Sequence, residues 1–119
     1  MKNLLAICSH APYGSILAKE GLDAILAAGV YEQNLSVLFI DDGVFQLLPH
    51  QDSSQIQQKN LGSALTALPL FGIETIYIEQ ESLDERGLKV TDLLLDEAIV
   101  LLRRDIAALL EQQHQVFNF

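Results

Sequence analysis

The sequence predicts a three-layer α/β/α sandwich around a mainly parallel sheet. Short, continuous apolar runs are typical of strands that are covered on both faces. These runs alternate with segments of helical apolar spacing, and parallel neighbours need such crossover connections. A chain of 119 residues, half of them hydrophobic, has the size of one compact domain, and it contains no repeat or linker. We therefore expect one domain over residues 1–119.

The first third of the chain reads as strand, helix, strand. Residues 4–8 form a continuous apolar run, which predicts a buried first strand. A segment from Pro12 to Ala28 has apolar residues at three- and four-residue spacings, which predicts a helix with one buried stripe. Residues 35–40 are again mostly apolar, and they predict the second strand.

The middle of the chain predicts a short helical turn, a longer helix and a third strand. Residues 41–43 read as a turn that closes the second strand, and residues 44–48 as a helical turn that ends before Pro49. Residues 55–68 have the apolar spacing of a helix. Residues 75–78 are rich in β-branched and aromatic side chains, which favours a strand.

The last third begins with a predicted helix start. Ser82 and Glu85 have the spacing of a capping box, in which each side chain bonds to the other's backbone amide, and residues 86–88 end that turn. Periodicity does not distinguish strand from helix in the short apolar runs that follow. We place a strand near residues 98–101, a helix over 104–112 and a final strand over 116–119.

Charge and composition exclude several classes of protein. The net charge is -9, and the seven Lys and Arg residues are scattered, so the chain has no basic stripe for direct, tight binding of nucleic acid. No apolar run approaches the roughly 18 residues of a membrane span, and we expect no signal peptide. A single cysteine allows no internal disulfide, which fits a reducing cytoplasm. The high apolar content predicts surface for a partner subunit.

Cys8 is the first candidate for chemistry. It ends the first predicted strand just before a helix start, where amide dipoles would lower the thiol pKa and create a nucleophile that carries sulfur. Free cysteine is also among the most buried residue types, and Cys8 continues a run of core residues. The core interpretation is favoured.

Two turns at the predicted carboxyl edge of the sheet are candidate ligand sites. Residues 9–15 lead into a helix start that would bind an anion through its free amides, although neither known phosphate-loop glycine pattern is present. Asp41 and Asp42 would bind Mg²⁺ or accept a phosphoryl group, as in a receiver domain. The chain lacks the lysine that a receiver domain carries at its last strand, and Asp-Gly is an ordinary turn.

The histidines do not predict a metal site. His10, His50 and His114 have no short ligand spacing, and the parallel topology places His10 and His114 at opposite edges of the sheet. The Gly-x-Ser-x-Gly motif of hydrolases is absent. From the residues alone we therefore expect no metal, no cofactor and no catalytic set.

Four segments carry a resemblance to a known family. Residues 42–49 read DGVFQLLP, and they are preceded by APYG at 11–14 and EGLD at 20–23. With ERGL at 85–88, this pattern resembles the TusC/DsrF family of sulfur-relay proteins, within the larger DsrE/DsrF/DsrH group. The resemblance covers essentially the whole chain, and it implies a parallel sheet of about five strands between helices.

The resemblance also implies a function. It suggests a non-catalytic subunit of a cytoplasmic heterohexamer that passes persulfide sulfur toward 2-thiolation of the wobble uridine in tRNA. In sulfur-oxidising relatives the same group serves sulfur oxidation. The partners would be TusB-like and TusD-like (DsrH/DsrE-like) subunits. The sulfur-carrying cysteine belongs to the TusD-like chain, and tRNA is contacted only indirectly.

A subunit without its own reactive thiol would contribute by shaping the complex. Asp42, Phe45, Gln46, Leu47 and Leu48 are the candidate partner interface, and the alternative is that the apolar residues among them cap the sheet's own core. Two other functions remain open. One is a persulfide carrier that uses Cys8, and the other is a small-molecule or anion-binding module near residues 9–15 and 41–43.

Overall fold

A computed structural model describes residues 3–10, 34–48, 73, 75–93 and 98–119 of the chain. The described sheet is entirely parallel, with the strand order β4-β3-β2-β1-β5. This confirms the predicted α/β class, and every strand lies within one residue of its predicted bounds. The strands are β1 (Asn3–Cys8), β2 (Asn34–Phe39), β3 (Thr75–Glu79), β4 (Ile99–Leu101) and β5 (Gln115–Asn118).

The described helical elements are two α-helices and two short 3-10 helices. The α-helices are α1 (Gln80–Glu85) and α2 (Arg103–Glu111), and α2 is shifted by one residue from its predicted span. The longer 3-10 helix covers Asp41–Leu47. It contains the helical turn predicted over 44–48 except for residue 48, and it also includes residues 41–43, which were predicted as a turn. The shorter one is Val90–Asp92. The helices predicted to end at Ala28 and to span 55–68 lie outside the described residues.

The start of α1 differs from the prediction. The helix begins at Gln80 directly after β3, so Ser82 lies inside its first turn. The Ser82 hydroxyl donates to Glu79 Oε1 at 2.6 Å and accepts the backbone N–H of Asp41 at 2.8 Å. The predicted capping box of Ser82 with Glu85 is therefore wrong, because Glu79 and Asp41 already engage the hydroxyl.

The end of α1 agrees with the prediction. Gly87 has a φ of 66°, in the left-handed region that favours glycine. The N–H of Leu88 donates to the carbonyl of Leu83 at 2.9 Å, and that of Gly87 to the carbonyl of Asp84 at 3.2 Å. This pair of bonds is a Schellman motif, which satisfies the last carbonyls of the helix.

Helical elements cover both faces of the sheet. Along β1, Leu4, Ala6 and Cys8 point into one apolar cluster, and Leu5 and Ile7 into the other. The 3-10 helix and α1 complete the first cluster, and Leu109 of α2 completes the second. This arrangement gives the three predicted layers. Among the described helices none has the length and apolar character to cross a membrane.

Candidate functional site

The 3-10 helix lies at the carboxyl end of β2 and closes against the end of β1. Gly43 is buried there, and its N–H donates to the carbonyl of Ile40 at 2.9 Å. A Cβ added at Gly43 would stand 2.6 Å from the carbonyl carbon of Cys8 and would overlap its oxygen. The close approach of the two backbones therefore requires glycine at this position.

Two residues of the predicted partner interface face inward. Leu47 is 0% exposed and belongs to the apolar cluster that contains Val44 and Phe39. Gln46 is 3% exposed, and its Nε2 donates to the carbonyl of His10 at 2.8 Å. Both were candidates for the partner interface, with the sheet's own core as the alternative for Leu47. The structure places both side chains inside the chain, where Leu47 packs in the core and Gln46 joins the 3-10 helix to the segment after β1.

The remaining interface candidates lie nearer the surface. The Asp42 carboxylate is 59% exposed, and its Oδ1 accepts bonds from Arg86 Nη2 at 3.0 Å and Nε at 3.1 Å. The Arg86 guanidinium carbon lies 6.0 Å from the centroid of the Phe45 ring, within cation-π range. Leu48 is partly buried against the core. Asp42, Phe45 and Arg86 thus form one surface cluster at the end of β2.

This cluster bears on the predicted Mg²⁺ or phosphoryl site. Asp41 and Asp42 lie at the carboxyl end of β2 as predicted, but Asp42 is already paired with Arg86. The backbone of Asp41 has a φ of 49°, and its N–H is held by Ser82. These contacts favour the structural interpretation of the two aspartates, because a guanidinium already takes the place that a cation would occupy on Asp42.

A buried carboxylate at the end of β3 is a feature that sequence reasoning missed. Glu79 is 5% exposed, and its Oε1 accepts the Ser82 hydroxyl and Arg103 Nη2, the latter at 2.9 Å. Burial by itself would raise the pKa of Glu79, but the hydrogen bonds from Arg103 and Ser82 outweigh it and hold that pKa below its usual range. A charged residue that ends an apolar strand was the signal available in the sequence.

Arg103 connects this carboxylate to α1. Its Nη2 also donates to Glu85 at 3.1 Å, and its backbone N–H donates to the Glu81 carboxylate at 2.9 and 3.0 Å. Hydrogen bonds to Glu79 and Glu85 raise the pKa of Arg103 further, so it stays charged. The carboxyl ends of β3 and β4 are therefore joined through an ionic network.

Cys8 lies at the carboxyl end of β1, as predicted, and its side chain is in the core. Burial raises the pKa of its thiol to about 12. A nucleophilic cysteine requires the opposite shift, since only the thiolate attacks. The environment of Cys8 is that of a structural core residue.

The other candidate residues are distributed over both edges of the sheet. His114 Nδ1 accepts the N–H of Asn3 at the start of β1, whereas His10 follows the end of the same strand, so the predicted separation of these two histidines is confirmed. Ser9 donates through its N–H and its hydroxyl to the carbonyl of Phe119. His50 and residues 11–15 of the predicted anion loop lie outside the described residues. In the described part of the chain, no three His, Cys, Asp or Glu side chains are grouped to hold a metal ion.

Comparison with known proteins places this architecture in a family. The model of the DsrE/DsrF-like family matches residues 2–119. The chain is 41% identical to Protein TusC of Buchnera aphidicola subsp. Baizongia pistaciae and 37% identical to a TusC homolog of Vibrio parahaemolyticus, with all of each chain covered. A TusC homolog of Pseudomonas aeruginosa is 44% identical over 73% of both chains. The crystal structure of the ychN protein from E. coli has the same fold, with a TM-score of 0.84, 21% identity and full coverage of both chains. The chain therefore belongs to the DsrE/DsrF-like family.

Proposed function

We propose that this chain is a non-catalytic subunit of a cytoplasmic sulfur-relay complex that serves 2-thiolation of the wobble uridine in tRNA. The observation that carries the proposal is the full-length similarity to TusC proteins. The chain acts as one domain beside TusB-like and TusD-like (DsrH/DsrE-like) subunits. The TusD-like subunit holds the persulfide, and tRNA contacts the complex without binding this chain directly.

The environment of Cys8 supports a role without sulfur chemistry. Cys8 is the single cysteine of the sequence, and sulfur transfer begins with attack by a thiolate. The thiol is buried with its pKa raised to about 12, so almost none of it ionises near neutral pH. A chain whose thiol is in this state contributes shape and contact area to a relay.

The surface cluster at the end of β2 is the proposed contact with a partner subunit of the complex. Asp42 is exposed, and Phe45 and Leu48 are half-buried at the same 3-10 helix. The buried side chains of Gln46 and Leu47 anchor this helix to the rest of the chain, so the surface that it presents to a partner has a fixed shape. Rigid, partly exposed aromatic residues are frequent anchors of protein interfaces, and Phe45 is the anchor that we assign.

Reconstitution with the two companion subunits from the same genome tests this function. We expect the three chains to copurify, and we expect Cys8→Ser to leave both the complex and the 2-thiouridine content of tRNA unchanged. Phe45→Asp should weaken the complex, whereas Val90→Asp, at an exposed apolar residue of the shorter 3-10 helix, serves as the matched control.

Two results would decide for the alternatives. A gain of one sulfur atom on this chain after incubation with a persulfide donor, measured by intact mass and lost in Cys8→Ser, would establish the carrier function and refute ours. A chain that stays monomeric in the presence of both companions, yet is thermally stabilised by a nucleotide or Mg²⁺, would establish a ligand-binding module.

A further inference from the structure

Asp41, the first residue of the longer 3-10 helix, has a strained backbone. Its φ of 49° lies in the left-handed region, and within the described part of the chain it is the one residue other than glycine with a positive φ. This conformation is disfavoured for a residue with a side chain, because Cβ comes close to the following carbonyl oxygen. A residue keeps it only where the surrounding structure holds it there. The contacts of Asp41 therefore decide whether this conformation persists.

Ser82 holds the backbone N–H of Asp41. This N–H donates to the Ser82 hydroxyl at 2.8 Å, and Ser82 is fully buried. The hydroxyl donates in turn to Glu79 Oε1 at 2.6 Å, and the same carboxylate accepts Arg103 Nη2 at 2.9 Å. Because the hydroxyl hydrogen is directed at Glu79, a lone pair of the oxygen is left to accept the N–H of Asp41. We call Ser82, Glu79 and Arg103 the Ser82 network.

The Ser82 network connects Asp41 to two neighbouring strands. Glu79 is the last residue of β3, and Arg103 lies two residues beyond β4, so the network runs along the carboxyl edge of the sheet from β4 to the end of β2. The hydrogen bonds to the Glu79 carboxylate are charge-assisted, and such bonds are stronger than those between neutral groups. The conformation of Asp41 is therefore held by the framework of the sheet as well as by its neighbours in sequence.

Ser82 also reaches the surface cluster at the end of β2 through its backbone. Its carbonyl accepts Arg86 Nη1 at 3.2 Å. Arg86 donates to Asp42 Oδ1 through Nη2 at 3.0 Å and Nε at 3.1 Å, and its guanidinium lies over the ring of Phe45. One buried serine thus holds the backbone of Asp41 through its hydroxyl and the side chain of Asp42 through Arg86.

We propose that Ser82 is a positioning residue for the partner contact, because through Asp41 and Arg86 it fixes the first turn of the 3-10 helix in the conformation that a companion subunit binds. The buried side chains of Gln46 and Leu47 anchor the end of this helix, whereas Ser82 anchors its beginning. Ser82 has no exposed surface, so it affects the partner only through the residues that it holds. The proposal rests on the proposed function, in which the surface cluster at the end of β2 contacts a companion subunit.

The test measures the Kd of the chain for its two companion subunits by titration calorimetry. Ser82→Ala leaves the strain at Asp41 unopposed, and the apparent Kd rises as the fraction of chains in the binding conformation falls. One hydrogen bond commonly shifts an equilibrium by about threefold to tenfold, so we expect Ser82→Ala to raise the Kd by at least about threefold. The matched control is Ser36→Ala, which removes a buried hydroxyl near the amino end of β2 and should leave the Kd unchanged. Urea denaturation checks that each variant is folded.

A second substitution distinguishes positioning from a general loss of stability. Glycine adopts the left-handed conformation without steric cost, so a chain with Asp41→Gly depends less on the Ser82 hydroxyl. Ser82→Ala should therefore raise the Kd by a smaller factor in the Asp41→Gly background than in the wild type, which a double-mutant cycle measures. A serine that only stabilised the fold would cause the same change in both backgrounds.

The outcomes separate the two proposals. A wild-type chain that forms no complex with the companions refutes the proposed function, and the role of Ser82 with it. A complex that forms and tolerates Ser82→Ala, or that weakens equally in both Asp41 backgrounds, refutes the positioning role alone. If Ser82→Ala does not fold, amide hydrogen exchange on the wild-type chain decides. Protection of the Asp41 amide is expected, and exchange as fast as in an unfolded chain overturns the proposal.

Discussion

The substitution Leu47→Ala tests whether Leu47 of the 3-10 helix Asp41–Leu47 is a core residue or an interface residue. Leu47 is fully buried, so the substitution removes three carbons from the interior of the chain. At about 0.8 kcal/mol per methylene, the transfer term alone is about 2.4 kcal/mol, and the cavity raises the loss to about 2.7–5 kcal/mol. A domain of this size is stable by about 5–15 kcal/mol, so the loss is a large part of the total. With a shift of about 4 °C per kcal/mol, the Tm should fall by about 10–20 °C.

Urea denaturation and thermal unfolding, both followed by circular dichroism, measure this loss. The control is Leu110→Ala, because Leu110 is partly exposed on α2 and the same truncation there should change stability by no more than about 0.5 kcal/mol. If Leu47→Ala unfolded like the wild type but bound the companion subunits poorly, Leu47 would be an interface anchor and the packing described for the 3-10 helix would be refuted.

Three further predictions concern backbone space, thiol reactivity and pH. Gly43→Ala should destabilise the chain far more than Gly87→Ala, because the new methyl at Gly43 overlaps the carbonyl of Cys8. Gly87 has open space around it, so alanine there costs only about 1 kcal/mol for the positive φ. Chemical denaturation measures both variants, and equal losses of unfolding free energy would contradict the close approach at Gly43. Cys8 should resist iodoacetamide in the folded chain at pH 7.5 and react fully in urea, and rapid native labelling followed by mass spectrometry would contradict its burial. The folded-state pKa of Glu79 lies below its unfolded value, so the contribution of this carboxylate to stability is present above the unfolded pKa of about 4.3 and is lost as the pH falls through the folded-state pKa. Glu79→Gln should therefore flatten the dependence of the unfolding free energy on pH in the acidic range. An unchanged slope would show that Arg103 does not hold the carboxylate.

The first three strands were predictable because each is a local run of apolar or β-branched residues, whereas the short apolar runs of the last third did not distinguish strand from helix by periodicity. The run from Leu4 to Cys8 is buried on both faces in the structure, which is the situation in which apolar residues are continuous rather than alternating. The end of α1 was also predictable from local sequence, because Gly87, whose positive φ ends the helix, lies only two residues beyond its last residue. The motif in residues 42–49 was also recognisable, although its pattern alone did not show which apolar residues point inward.

The polar contacts of the candidate site were not predictable in this way. Asp42 and Arg86 are 44 residues apart, and Glu79 and Arg103 are 24 apart, so no local spacing indicates either pair. The capping-box prediction for Ser82 was wrong for the same reason. Its hydroxyl accepts the N–H of Asp41, which lies at the end of β2 and is distant in sequence. Side chains that meet only when parallel strands align are determined by tertiary structure.

The position of β5 has a consequence for how the chain acquires its structure during synthesis. β1 is an interior strand whose neighbour on one side is β5, and Leu4 pairs with Gln115 across almost the whole length of the sequence. One side of β1 therefore has no ladder partner until residues 115–118 have left the ribosome, and the pairing closes a loop of high contact order. A nascent chain stalled before that point would present an open, apolar strand, so truncation of these residues should produce aggregation rather than a smaller folded domain.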